Sequence, residues 1–163
     1  MSSAEEFLPN DIIVVPAQKT DYPEILAIQK KAFYSEAEFY QNFSIQPLTQ
    51  TIEEMDEECR EKVVLKAVVG EKIVGSVRAN SSETVCQVNK LVVLPEFQKK
   101  GIGQQLLNEV ESYFPEIQKF TLQTGAYSES NIRLYTKIGY QIVGRSMFAG
   151  GVEAVVLEKI KSA

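Results

Sequence analysis

Leu91-Val92-Val93-Leu94-Pro95-Glu96-Phe97-Gln98-Lys99-Lys100-Gly101-Ile102-Gly103 is the stretch on which the reading of the fold turns. It opens as an apolar strand, is stopped by Pro95, passes through a glycine-bearing loop and enters a helix. The first N–H groups of a helix have no partner within it and carry partial positive charge. Gly101 and Gly103 let an anion come close to them, and Lys99 and Lys100 add charge, so the segment predicts an anion cradle. Two nucleotide motifs fail against it. A dinucleotide fingerprint needs a third glycine at position 106, where Leu106 stands. Gly70 and Gly75 have the glycine spacing of a P-loop, but Ser76-Val77 follow where Lys-Ser/Thr is required. Taken alone, the segment equally fits a helix entered through glycines with two solvated lysines.

Working outward, three strand candidates precede the loop, over residues 63–69, 73–79 and 84–94, with turn residues between them. They predict an antiparallel meander. Downstream, Leu106, Leu107, Val110 and Phe114 form the inward face of a helix ending before Pro115. A short strand over 120–124 and a helix over 128–138 closed by Gly139 follow, then a hairpin of strands 140–148 and 152–160. Upstream, residues 12–15 read as a first strand. Asp21 and Glu24 read as a capping box for a helix to about residue 32, with Ile25 and Ile28 inward. A second helix is expected over 51–61, with Ile52, Met55 and Cys59 on one face and Asp56–Arg60 and Glu58–Lys62 as ion pairs. The order is βααβββαβαββ, an α+β (mixed α/β) fold. One domain is expected over residues 11–161, after a polar lead-in over 1–10.

The chain has 163 residues, 44% hydrophobic and 24% charged, an ordinary globular balance. Its net charge is −5, which makes it a poor general binder of nucleic acid or anionic membrane. No histidine is present, which removes every mechanism that needs an imidazole. Two cysteines, Cys59 and Cys86, have no metal-ligand spacing, so no metal site and two reduced thiols are expected. Cys86 reads as a buried strand residue. No signal peptide or membrane span is visible, and a cytoplasmic location is expected.

A second motif is Ser130-Asn131-Ile132-Arg133-Leu134-Tyr135-Thr136-Lys137-Ile138-Gly139-Tyr140. Asn131 and Tyr135 are four apart and share a helix face. A phenol with its ordinary pKa of about 10 is a proton donor at neutral pH. Between the first two helices stand Phe33, Tyr34, Phe39, Tyr40 and Phe43, with Glu36 and Glu38 among them.

The two motifs in this order resemble the GNAT acetyltransferase family, which moves an acetyl group from acetyl-CoA to an amine. Gln98-Lys99-Lys100-Gly101-Ile102-Gly103 is similar to that family's pyrophosphate loop, and Asn131 with Leu134-Tyr135-x-Lys137-x-Gly139-Tyr140 to its second cofactor motif. The resemblance implies the GNAT-like fold, a mostly antiparallel sheet flanked by helices, and acetyl-CoA as co-substrate. It implies that the backbone of Leu91, Val92 and Val93 pairs with pantetheine and that an amide near Leu91 faces the thioester oxygen. It implies that amides from Gln98 to Gln104, across Lys99, Lys100, Gly101, Ile102 and Gly103, hold the pyrophosphate, with Lys99 or Lys100 near the 3′-phosphate. Asn131 would touch the cofactor, and Tyr135 would give a proton to the departing thiolate.

The implied activity is acetylation of a primary amine of a small molecule by direct attack. Acetylation of a protein or peptide amine, and a non-catalytic acyl-CoA sensor, are the other readings. Many relatives carry a glutamate on the third meander strand as base, and here Gln87 and Asn89 stand in that region. A water chain ordered by either, or a carboxylate such as Glu83, is left open. Residues 33–43 lie where the family builds its acceptor wall, so Glu36 or Glu38 with the aromatics is expected to receive a cationic amine. The family habit of pairing C-terminal strands implies a homodimer.

Overall fold

The computed structural model describes residues 11–148 and 150–161, so the expected lead-in over 1–10 lies outside the described residues. The strands are β1 (Ile12–Pro16), β2 (Val63–Val69), β3 (Lys72–Ser82), β4 (Val85–Val93), β5 (Lys119–Gly125), β6 (Gln141–Phe148) and β7 (Val152–Ile160). They form one seven-stranded sheet in the order β1-β2-β3-β4-β5-β7-β6. The β4–β5 pair is parallel and the other neighbours are antiparallel. The meander and the closing hairpin are as the sequence predicts.

The helices are α1 (Tyr22–Tyr40), α2 (Gln46–Thr49), α3 (Ile52–Cys59), α4 (Ile102–Ser112) and α5 (Glu129–Lys137). The expected order βααβββαβαββ therefore becomes βαααβββαβαββ. The added helix α2 is four residues with Pro47 in its first turn, too short to show a period. Gly75 and Arg78, three apart on β3, face opposite sides of the sheet. A Cβ on Gly75 would meet Leu106 and Ile102 of α4, whereas Arg78 reaches Gln29 of α1. Helices thus cover both faces.

Helix α1 runs well past residue 32. Ile25, Ile28 and Ala37 are buried, and Phe33 and Tyr40 pack at spacings that continue the same stripe. Gln41 ends it in the left-handed conformation, φ 52°. The Asp21–Glu24 capping box does not form. A 3-10 turn over Lys19–Asp21 precedes the helix and puts Asp21 itself in helical backbone conformation, φ −85°, ψ −15°. Its carboxylate instead accepts the Gln18 N–H at 2.8 Å and pairs with Lys66 at 2.9 Å. Glu24 accepts the Ile73 N–H at 3.2 Å, tying α1 to β3.

On α3, Met55 and Cys59 are buried but Ile52, in the first turn, is 45% exposed. The Glu58–Lys62 pair forms at 3.1 Å. Asp56 pairs with Lys19 and Arg60 with Glu57, rather than with each other.

Glu58 does more than pair with Lys62. Arg78, 1% exposed, donates to its Oε1 at 3.0 Å, to Gln29 Oε1 at 2.8 Å and to Gln50 Oε1 at 3.4 Å. Gln50 donates to the same Glu58 oxygen at 2.7 Å, and Lys90 does so at 3.3 Å. This hub joins α1, α3, β3 and β4. Burial alone would raise the Glu58 pKa, but Arg78, the Gln50 hydrogen bond, Lys90 and Lys62 outweigh it and hold it down to about 2. The stabilisation is therefore present above the unfolded carboxylate range and lost as pH falls through the folded value. We expect Glu58→Gln to cost about 3 kcal/mol in urea unfolding at neutral pH, because Arg78 keeps its charge without a counter-ion. The variant should also lose part of the decline in stability between pH 4.5 and about 2. Equal wild-type and variant stability would show that the hub carries no such energy.

Candidate active site

Strand β4 pairs with β5 only over Val85–Gln87, against Lys119–Thr121. Strand β5 continues on its other side with β7 as far as Gly125. The two strands therefore part after Gln87 and leave a notch between them. A bulge in β4 sharpens the parting. Asn89 lies opposite Arg78 and Val92 opposite Ser76, so Lys90 and Leu91 share the space facing Val77. Lys90 adopts φ 53°, a left-handed conformation that costs an L residue about 1–2 kcal/mol.

Beyond the notch, β4 leads through Pro95–Phe97 into the N-terminus of α4. Gln98 Nε2 donates to the Val93 carbonyl at 3.1 Å, latching the loop to the strand end. Lys99 (φ 64°) and Gly101 (φ 86°) turn the backbone, and Gly101 is the residue from which α4 starts. A Cβ placed on Gly101 would meet nothing within 4 Å, so the approach to this helix start is open. Leu91, Val92, Val93, Gln98, Lys99, Gly101, Ile102, Gly103, Gln104 and Asn131 all line one groove of about 680 Å³. Of the sequence-derived cofactor residues, Lys100 alone does not line it. An open helix start, glycine-lined and continuous with an unpaired strand edge, fits a diphosphate at one end and an extended amide-bearing chain along the other.

A second cavity of about 400 Å³ lies deeper in the notch. It shares Phe33, Glu36, Leu91, Gly125 and Asn131 with the groove, and Tyr135 lines its wall. Tyr135 is 5% exposed and packs edge-on to Tyr140 at 6.1 Å between ring centroids. Burial, and then the charge of Glu36, push its phenol well above the ordinary tyrosine value, so it stays protonated at neutral pH. Asn131, on α5, donates to Thr124 Oγ1 of β5 at 3.4 Å. Cys86, by contrast, is fully buried, and burial, then Glu111, push its thiol up to about 12. It holds no thiolate to serve as a nucleophile.

The two glutamates of the aromatic segment separate. Glu36 lines both cavities and is half-buried, while Glu38 is exposed and lines neither. Burial raises the Glu36 carboxyl above its ordinary value. It packs so closely on β5 that a Cβ on Gly125 would stand 2.6 Å from its Oε2. Gln87 and Asn89 line the inner cavity, and Glu83 lines neither, being exposed in the β3–β4 turn. Lys90 is the wall residue that sequence reasoning missed. Its position follows from the bulge, which no sequence pattern announced.

The sequence profile of the Acetyltransferase (GNAT) family matches residues 22–140. The chain belongs to that family. Its members use acetyl-CoA, and the protein is an acetyltransferase. Among solved structures, the PaiA N-acetyltransferase from Thermoplasma acidophilum in complex with coenzyme A superposes with a TM-score of 0.75 at 15% identity, covering 91% of this chain and 98% of that one. The ribosomal-protein-S18-alanine N-acetyltransferase from Escherichia coli gives 0.74 at 16% identity, covering 93% and 96%. Ard1 from Thermoplasma volcanium gives 0.76 at 17% identity, covering 94% and 99%. No curated protein sequence matches the chain. Among the described residues, no helix is long and apolar enough to cross a membrane.

Coenzyme A at about 100 times its dissociation constant should stabilise the protein by about 2.7 kcal/mol, visible as a raised melting temperature. Gly101→Val should weaken that response, because its branched side chain would fill the open approach and strain the left-handed backbone. An undiminished response would separate the α4 start from the cofactor.

Proposed function

We propose that the protein transfers the acetyl group of acetyl-CoA to a primary amine of a small molecule, by direct attack with both substrates in one cleft. The observation that carries this reading is the meeting of the two cavities at Glu36, Leu91 and Asn131, with the Tyr135 phenol beside the junction. The groove takes the nucleotide-bearing substrate and the inner cavity takes the acceptor. A cavity of about 400 Å³ suits a small acceptor.

An alkylammonium must lose a proton before its nitrogen can attack. Glu36 is the carboxylate at the junction, and its raised pKa makes it a better base than a solvated glutamate. The amine nitrogen adds to the thioester carbonyl carbon, negative charge passes to the carbonyl oxygen, and the carbon–sulfur bond then breaks with the electron pair leaving on sulfur. A backbone N–H in the unpaired part of β4, near Leu91, faces the carbonyl oxygen as it gains charge, an interaction worth about 2.7–4 kcal/mol in comparable sites. Tyr135 supplies the proton to sulfur, and the second proton that the nitrogen sheds on becoming an amide restores the phenol. Burial is the larger cause of its raised pKa and the Glu36 charge the next. When Glu36 takes the amine's proton that charge disappears, and Tyr135 becomes easier to deprotonate. Proton uptake at one residue thus eases release at the other. Holding both reactants in one cleft supplies the remaining advantage.

Tyr135→Phe should lower kcat by about 100-fold or more while coenzyme A still binds. The sign of the pH effect follows from Glu36, which works deprotonated. The wild-type kcat/KM should fall as pH drops through a value above the ordinary carboxylate range, and Glu36→Gln should abolish that limb. Free-thiol release over a panel of amines and peptides is the deciding assay. Tight coenzyme A binding with no thiol release from any of them would favour a sensor, and turnover of peptides alone would favour a protein acetyltransferase.

A further inference from the structure

The inner cavity has electrical ends of opposite sign. Glu36 stands at its junction with the groove, and Lys90 stands on the β4 wall. Behind Lys90, three cations share one carboxylate. Arg78, Lys62 and Lys90 approach Glu58 at 3.0, 3.1 and 3.3 Å. Glu58 therefore leaves the cluster with an excess of positive charge. Glu58 does not line the cavity, whereas Lys90 does. The Lys90 ammonium has three N–H donors, and its contact with Glu58 is the long one of the set. Lys90 is also held in a left-handed backbone conformation at the bulge. A strained, largely buried cation among the lining residues of a cavity points to a ligand there.

We propose that the acceptor carries an anionic group a short distance from its reactive amine, with the anion held by Lys90 and the amine delivered to Glu36. This rests on the acetyltransfer reading and names the substrate class of that site. A polyamine or plain alkylamine would place either a second cation or nothing against the Lys90 end. An amino acid, or an amine bearing a phosphate or sulfonate, fills both ends with opposite charge. Asn89 makes a separate demand, for a donor rather than an anion. It lines the same wall, and its buried Oδ1 has no hydrogen-bond partner within the protein. Such an atom is costly unless a bound molecule or water donates to it. Burial pulls the Lys90 ammonium below its ordinary pKa, Glu58 offsets part of that and Arg78 adds to it. An anion in the cavity would favour the charged form of Lys90, and Lys90 would hold the anion in return.

The test is a matched acceptor series with acetyl-CoA and free-thiol detection. Glycine, β-alanine and γ-aminobutyrate are each compared with their carboxamide, and phosphoethanolamine and taurine with ethanolamine. We expect at least one acid to exceed its neutral partner in kcat/KM by about tenfold or more, with a preferred chain length. Lys90→Gln should reduce that ratio by about the same factor, and Lys90→Arg should keep most of it. Carboxamides or ethanolamine used as well as their anionic partners would overturn the proposal while leaving acetyltransfer standing. No turnover of any amine would instead bring down the acetyltransfer reading. The wild-type ratio decides the matter even if a variant fails to fold.

Discussion

A strand that stops pairing part-way along its length is the constraint on which this site depends. Backbone N–H and C=O groups buried in a fold must find partners. In β4 the partner on one side is lost after Gln87, although the strand runs on to Val93. The groups left over face a groove rather than a neighbouring strand. An extended ligand with amide groups can supply what β5 no longer does, as added strands do in peptide recognition. The same parting opens the inner cavity, so the groove and the cavity are consequences of one interruption in the sheet.

What keeps the interruption open is polar rather than apolar. At the start of the gap, Asn89 lies opposite Arg78, which is pinned among Gln29, Gln50 and Glu58. At its far end the Gln98 side chain holds the Val93 carbonyl. Between them the bulge at Lys90 and Leu91 bends the strand. Hydrophobic packing would tolerate β4 sliding by small amounts, whereas a buried guanidinium with three partners tolerates little. The hub and the latch fix where the strand leaves its neighbour, and so fix the spacing between the groove and the inner cavity.

The sequence announced the parts made of local signals. Gly101 and Gly103 after a strand, and Asn131 with Tyr135 at helical spacing, are short-range patterns, and the groove residues they named come together apart from Lys100. Strand positions in the meander were legible because β-branched runs and turn residues are local too. The misses that bear on the site are non-local, whereas the others are local. Asp21 looked like a cap until a 3-10 turn displaced it. Glu58 read only as an ion-pair partner of Lys62, and its role depends also on Arg78 and Lys90 arriving from two strands. Lys90 had no signal at all, because an extra residue in a strand is visible only against its partner.

Charge is distributed to match. The chain is acidic as a whole, with a net charge of −5, yet it gathers Arg78, Lys62 and Lys90 around one carboxylate beside the inner cavity. Against an acidic background such a cluster is a local field, weakly screened because Arg78 and Lys90 are largely withdrawn from water. Glu36 sets the opposite sign at the junction and reaches Tyr135 through the same low-dielectric interior. With no histidine in the chain, the proposed mechanism divides proton traffic between a carboxyl raised by burial and a phenol whose acidity depends on that carboxyl's charge. A single imidazole could take and return a proton by itself. Here the two halves of that task fall to different residues, and burial in one notch is what couples them.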